Sequence, residues 1–206
     1  MNGRAAILSR LAAAQRTARL PPAPAAHAIV TPPPGGPECL ERFVKELAAL
    51  GVDGHVEATP ERVRERVRSL VAGKRVLAWD AGRLPYGVDS VLSDAARGSS
   101  PREEQASAEI GVTGCDGAIA ETGSLVLLSG RGRSRAVSLL PPVHLALVRP
   151  QDLYFSMGEF FARAGVRVGE EACCTFVTGP SRTADIELTL TLGVHGPGKV
   201  IVVVGP

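Results

Sequence analysis

From about Glu38 onward the chain alternates between two apolar rhythms. Leu40, Phe43, Val44, Leu47 and Leu50 recur at helical spacing, and Gly51 follows as a stop, which predicts a helix over 38–50. A short strand, HVEA (55–58), leads to Thr59 and Pro60, an N-cap and a first helical residue, opening PERVRERVRSLVA as a second helix. A different pattern then takes over. RVLAWD (75–80), EIGVT (109–113), GAIAE (117–121), SLVLLS (124–129), VHLALV (143–148), CTFVTG (174–179) and KVIVVVG (199–205) are short runs, apolar on both faces. Helices are expected between the later ones, at QDLYFSMGEFFARAG (151–165) and SRTADIELTLTLG (181–193). Strands buried on both faces and separated by helices predict a three-layer α/β fold, a mostly parallel sheet between helices. The short link from GAIAE to SLVLLS predicts one hairpin within that sheet.

The first 37 residues stand apart. Residues 1–20 form an Arg- and Ala-rich segment without acids, with Ile7, Leu8 and Leu11 at helical spacing, read as an amphipathic helix. A transit peptide is the competing reading, but a long apolar core and an extended serine-rich stretch are both missing. Residues 21–37 are a Pro-rich linker, where proline and glycine rule out a regular element. Residues 38–206 make the α/β domain. No apolar run approaches the ~20 residues of a membrane span. The expected location is cytoplasmic.

Composition narrows the chemistry. With five Phe, two Tyr and one Trp in 206 residues, the core is built from Val, Leu, Ile and Ala. A formal charge of +2, from 23 basic and 21 acidic residues, supplies no basic face for nucleic acid. Cys39, Cys115, Cys173 and Cys174 contain no C-x-x-C, so neither an iron–sulfur cluster nor a tetrahedral thiolate site is expected, and no cofactor is assigned to this chain.

Three stretches carry candidate chemistry. In GVTGCDGAIAETGSLVLLSG (111–130), Glu121 sits between two apolar strands, followed by Thr122 and Gly123. Gly123 suits a tight turn, but such a turn needs no glutamate, and a partly desolvated carboxylate suits a nucleophile or general base. In RGRSRAVSLLPPVH (131–144), Arg131 and Arg133 are read as solvated, whereas Arg135, beside an apolar anchor, is the candidate carboxylate or phosphate ligand. A cis bond before Pro141 or Pro142 is open, and His144 is a candidate acid–base or structural residue. In TGPSRTADIE (178–187), Ser181, Thr183 and Asp185 fit a helix N-terminus, and Arg182 adds the charge of an anion cradle. His195, in GVHGPG (193–198), lies where that helix is expected to end. Glu121, His144 and His195 make a metal set only if folding gathers them, and no metal is assigned.

The succession GVTGCDGAIAETGSLVLLS, SLLPPVHLALV and TGPSRTADIELTLTLGVHGPGKVIVVV, over roughly residues 106–206, resembles the lactate utilization protein C family, the LUD-domain proteins. The resemblance implies a fold similar to the NagB/RpiA/CoA-transferase-like group. It also implies a part in oxidising L-lactate to pyruvate within a three-protein system whose partner components carry iron–sulfur clusters. On that reading the chain is a non-redox subunit binding a small carboxylate or anionic ligand. Its matching positions include Thr113, Glu121, Thr122, Gly123, His144, Ser181, Arg182, Thr183, Asp185 and His195. It carries over no catalytic residue, and Glu121 and His144 are catalytic candidates on the reading of the residues alone. The alternative, from fold kinship, is an independent acyl- or phosphoryl-handling enzyme using Glu121 as nucleophile. Whether the chain catalyses any step stays open at this level.

Overall fold

Helix α1 (Gly3–Thr17) is followed by α2 (Gly36–Ala49), β1 (Asp53–Val56), α3 (Pro60–Val71), β2 (Val76–Ala78), β3 (Ala96–Arg97) and α4 (Arg102–Ala106). The chain continues through β4 (Ile110–Thr113), β5 (Gly117–Ile119), β6 (Ser124–Leu128), β7 (Val143–Val148), β8 (Leu153–Tyr154) and α5 (Met157–Glu170). It ends with β9 (Cys174–Val177), β10 (Arg182–Thr183), β11 (Thr191–Leu192) and β12 (Lys199–Val204). The structure, a computed structural model, describes residues 3–19, 36–183 and 191–206. Two units separate, residues 1–30 and 31–206. In the first, α1 buries no side chain, and Ile7, Leu8 and Leu11 are exposed. No helix among the described residues is long and apolar enough to cross a membrane.

The second unit is built on a parallel six-stranded sheet in the order β1-β12-β7-β4-β2-β3. Its strands alternate between two cores, as the two-faced apolar runs require. Leu145, Leu147, Ile201 and Val203 face α3 through Val63, Val67 and Val71. Ala146, Val148, Val200, Val202 and Val204 face Phe43 and Leu47 of α2, together with Ala118, Ala120 and Leu125 of a second sheet. That sheet has the order β8-β5-β6-β9, and α5 covers its other face through Phe160 and Ala164. The result is the three-layer α/β arrangement, with mostly parallel strands between helices. Among the termini, Thr59 caps α3 by accepting the Arg62 N–H at 3.3 Å, with Pro60 next in the chain, as its sequence predicts.

Four expectations change. The β5–β6 hairpin belongs to the second sheet and not the six-stranded one, because β6 pairs antiparallel with β9 and β5 pairs parallel with β8. The helix expected over 151–165 starts later: Leu153–Tyr154 is a strand, and Ser156 caps α5 by accepting the Glu159 N–H at 3.1 Å. Glu159 reaches back to the Phe155 N–H at 2.8 Å, one residue before the cap, so Ser156 and Glu159 together fix the boundary in the manner of a capping box. The helix expected over 181–193 does not start at Ser181; Arg182 and Thr183 pair antiparallel with Leu192 and Thr191. The sequence of that stretch alternates Ile186, Leu188, Leu190 and Leu192 with polar residues at a period of two, a strand signature competing with the helical reading. Finally, no peptide bond among the described residues is cis, so Pro141 and Pro142 enter β7 in trans.

Candidate functional site

The topology marks one place on the parallel sheet. From β2 the chain leaves toward β3 on one side, and from its neighbour β4 it leaves toward β7 on the other. The carboxyl ends of β2 and β4 therefore diverge, which opens a crevice of the kind where α/β sheets bind ligands. A cavity of about 210 Å³ lies there. Its wall is made by the segment after β2 (Trp79, Gly82, Arg83, Leu84, Pro85), the segment after β4 (Gly114, Cys115, Asp116), Arg133 and Arg149.

Charge is distributed unevenly in this crevice. Asp116 is nine-tenths buried and satisfied by three donors: the Leu128 N–H at 2.8 Å, Arg133 Nη1 at 2.6 Å and Arg167 Nη2 at 3.3 Å. Arg133 also donates from Nη2 to Glu171, and its buried Nε has no partner. Arg149 is held by Asp152 through two hydrogen bonds, 2.6 and 3.1 Å. These pairs cancel internally. Arg83 forms no ion pair or side-chain hydrogen bond among the described residues; Asp80 lies beside its stem across Gly132, without an ion pair to it. Arg83 is thus an exposed lining residue of the crevice without a carboxylate paired to it. Cys115 is inert beside it: burial pushes its thiol up to about 12, and its Sγ lies against the Gly117 carbonyl.

The residues singled out in the sequence lie elsewhere. His144, wholly buried in β7, has Nε2 2.9 Å from Thr113 Oγ1, so these two candidates do meet. Burial alone pushes its pKa down to about 4, and its Nδ1 has no partner. The least costly arrangement is a neutral ring whose Nε2–H donates to Thr113, since a bare acceptor is cheaper to bury than an unpaired N–H. Glu121 accepts the Met157 N–H at 3.3 Å, which places its carboxylate at the positive end of α5. Thr122, Ser124 and Thr178 form a chain of hydroxyl contacts of 2.8 and 2.7 Å. Gly123 turns at φ +65, and a Cβ there would meet Leu50 and Glu46 of the α2 end at 3.0–3.1 Å.

Arg182 reaches the same helix end, donating from Nη2 to the Leu50 carbonyl. Within the expected anion cradle the described residues do not open a helix: Ser181 exchanges backbone bonds with Pro197 and Gly193, and Thr183 lies in β10. Asp185 falls outside the described residues. His195 is exposed in the 193–198 loop, well separated in environment from buried His144, and no group of three or more metal-ligating side chains stands together among the described residues. Arg135 is exposed at the start of a short 3-10 turn, and Arg133, read as solvated, is the half-buried one. None of Glu121, Arg135, His144, Arg182 or His195 lines the crevice.

What sequence reading passed over is the loop DAGRLPYG after the RVLAW strand, and Asp116 inside an otherwise apolar run. A usable signal was present: the chain's one tryptophan, then Gly, Arg and Pro, immediately after a buried strand. A larger groove of about 660 Å³ lies at the opposite end of β2, floored by Val71, Val76 and Leu92. It is away from the divergence of β2 and β4, and its cations Arg68 and Lys74 stand on an exposed rim. The switch-point crevice is the better candidate because charged groups from separate segments converge there, with Asp116, Arg133 and Arg149 held by ion pairs.

Comparison with known proteins agrees with this architecture. A solved structure of a DUF162 family protein from Deinococcus radiodurans superposes with a TM-score of 0.68 at 26% identity, covering 84% of this chain and 100% of that one. Curated relatives named Lactate utilization protein C include one from Geobacillus sp. (strain WCH70), 32% identical over 170 residues, covering 72% of this chain and 70% of the relative. Another, from Anoxybacillus flavithermus, is 34% identical over 163 residues and covers 72% of each. An Escherichia coli protein, "Uncharacterized protein YkgG", is 34% identical over 125 residues, 58% of this chain and 53% of that one. The family model described as LUD domain matches residues 40–204, and the chain belongs to the LUD domain family.

Proposed function

We propose that this protein takes part in lactate utilization as a subunit that binds a small monocarboxylate, lactate or its 2-oxo product, in the crevice at the carboxyl ends of β2 and β4. The observation that carries this reading is the charge balance there. Arg133 and Arg149 are each matched by acids of the chain, while Arg83 has none, so one cation is available for one carboxylate. A guanidinium presents paired N–H donors that match a carboxylate in a planar fork. The volume, about 210 Å³, is below the range of drug-sized pockets and suits a small acid. The names of relatives 32–34% identical over most of the chain support the same process.

In this account the chain recognises and orients, and iron–sulfur partner proteins carry the redox step. Oxidation of lactate releases two electrons and two protons; the electrons pass to the partners' clusters. The chain's own contribution is the cationic wall, which holds the carboxylate while Trp79 and Leu84 limit the space beside it.

The test is genetic and physical together. A strain lacking this gene should lose lactate-dependent growth, recover it with the wild-type gene, and fail to recover with Arg83→Ala although the variant protein accumulates. Full recovery by Arg83→Ala at normal protein level would exclude the crevice as the carboxylate site.

A further inference from the structure

Tyr86 is the one non-glycine residue with positive φ, +63, among the described residues. An L side chain at such a φ is strained, and this conformation persists only where the surroundings over-determine it. Three contacts do so. The Tyr86 hydroxyl donates to the Val148 carbonyl at the end of β7, 2.8 Å away. The ring occupies the space beside Gly205, just after β12, where an added Cβ would fall 2.4 Å from Cζ. The Tyr86 carbonyl accepts Nη1 of Arg64 from α3 at 2.9 Å. Burial pushes the phenol up to about 12, so the hydroxyl stays a donor throughout the working range of pH.

These contacts tie one end of the segment that lines the crevice, Gly82 to Pro85, across the carboxyl ends of two other strands. At its other end the segment is closed by the Gly82 N–H to Asp89 Oδ2, 2.9 Å, and the Arg83 N–H to the Asp80 carbonyl, 3.0 Å. We infer that Tyr86 is a positioning residue: it straps the Arg83 loop over the ends of β7 and β12 and so fixes where the free guanidinium meets the ligand carboxylate. This rests on the crevice being the carboxylate site. Tyr86 itself touches no ligand in this account; it acts through Arg83, and the paired absence of a side chain at Gly205 is part of the same device.

The experiment is a double-mutant cycle on the full chain, with sodium pyruvate titrated by calorimetry into the wild type, Tyr86→Phe, Arg83→Ala and the double variant. Hydrogen exchange of residues 80–87 is followed alongside. Tyr86→Phe should weaken pyruvate binding about fivefold to tenfold, the size of one neutral hydrogen bond. In the Arg83→Ala background the same change should add almost nothing, because its route to the ligand is gone. Exchange at the Gly82 and Arg83 amides should speed up, with β7 and β12 unchanged. Equal losses in both backgrounds, or faster exchange with unaltered affinity in a protein that binds pyruvate, would overturn the inference. If the wild type binds no pyruvate, the carboxylate reading fails by itself. Exchange then decides the strap, with Gly205→Ala as a second variant that displaces the ring: acceleration at 80–87 in both supports it, and unchanged exchange overturns it.

Discussion

Asp116 Oδ1 lies 2.6 Å from Arg133 Nη1, and through this pair the wall of the crevice is joined to α5, which sends Arg167 to the same carboxylate and is followed by Glu171 on Arg133. Removing one partner of a buried pair costs about 3–5 kcal/mol when the other charge is left uncompensated, and less here, where Arg133 keeps Glu171 and Asp116 keeps Arg167. Asp116→Asn should therefore lower stability by about 1–3 kcal/mol in urea unfolding, with Arg133→Ala similar. A double variant, Asp116→Asn with Arg133→Met, should lose much less than the sum. Strict additivity would mean that the pair is not energetically coupled.

His144 gives the protein a pH-dependent stability with a defined sign. Its pKa is about 4 when folded, against an ordinary value of 6.5. The unfolded chain therefore binds the proton more readily, and stability is lost as pH falls from about 6.5 toward 4. The slope from this one residue is at most about 1.4 kcal/mol per pH unit. Denaturant unfolding between pH 4.5 and 8 should show that His144→Gln is less steep than the wild type below pH 6.5 and parallel above it. An unchanged slope would mean that the ring is solvated or charged in the folded state.

Glu121 is placed as a helix-terminal acceptor, so its two substitutions should separate. Glu121→Gln keeps an oxygen for the Met157 N–H and should change stability by only a few tenths of a kcal/mol, whereas Glu121→Ala should cost about 0.5–1 kcal/mol. Pyruvate affinity should be the same in both. Lost affinity with an unaltered melting temperature in both variants would restore a ligand-directed role for this carboxylate.

Arg182 reaches an α2 terminal carbonyl, and Arg182→Ala should cost about 0.5–1.5 kcal/mol of stability, as one lost hydrogen bond does. Thermal melting with and without pyruvate measures both consequences at once. A lower melting temperature with an unchanged ligand-induced shift is expected; an unchanged melting temperature with the shift abolished would return Arg182 to anion binding.

Much of the architecture is readable from pattern alone, and the failures share a cause. Strands β7 and β12 are continuous apolar runs because both faces are buried, and the Thr59–Pro60 boundary follows from capping chemistry. The β10–β11 pair was masked by Ser, Thr and Asp in the order that also opens a helix. The candidate site was harder to see because it is assembled from the ends of separate strands. Asp116 and Arg133 are 17 residues apart, and Arg133 and Glu171 are 38, so no local spacing announces them. Arg133 in a Gly/Ser-rich loop has the composition of a solvated residue and becomes half-buried because Asp116 and Glu171 await it. Glu121, conspicuous between apolar strands, is accounted for by a helix start 36 residues later.

The central claim is that Arg83, as the crevice's uncompensated cation, holds a small monocarboxylate. Trp79 is the chain's only tryptophan and lines the same crevice, so its fluorescence can follow binding directly. Titration of the full chain with sodium pyruvate, against sodium chloride at equal ionic strength, should give a saturable change in the wild type. Arg83→Ala should weaken it roughly 10- to 100-fold, as expected for a lost charge-assisted contact, and Arg83→Lys should fall between. Saturable binding of equal affinity in the wild type and Arg83→Ala would contradict the account.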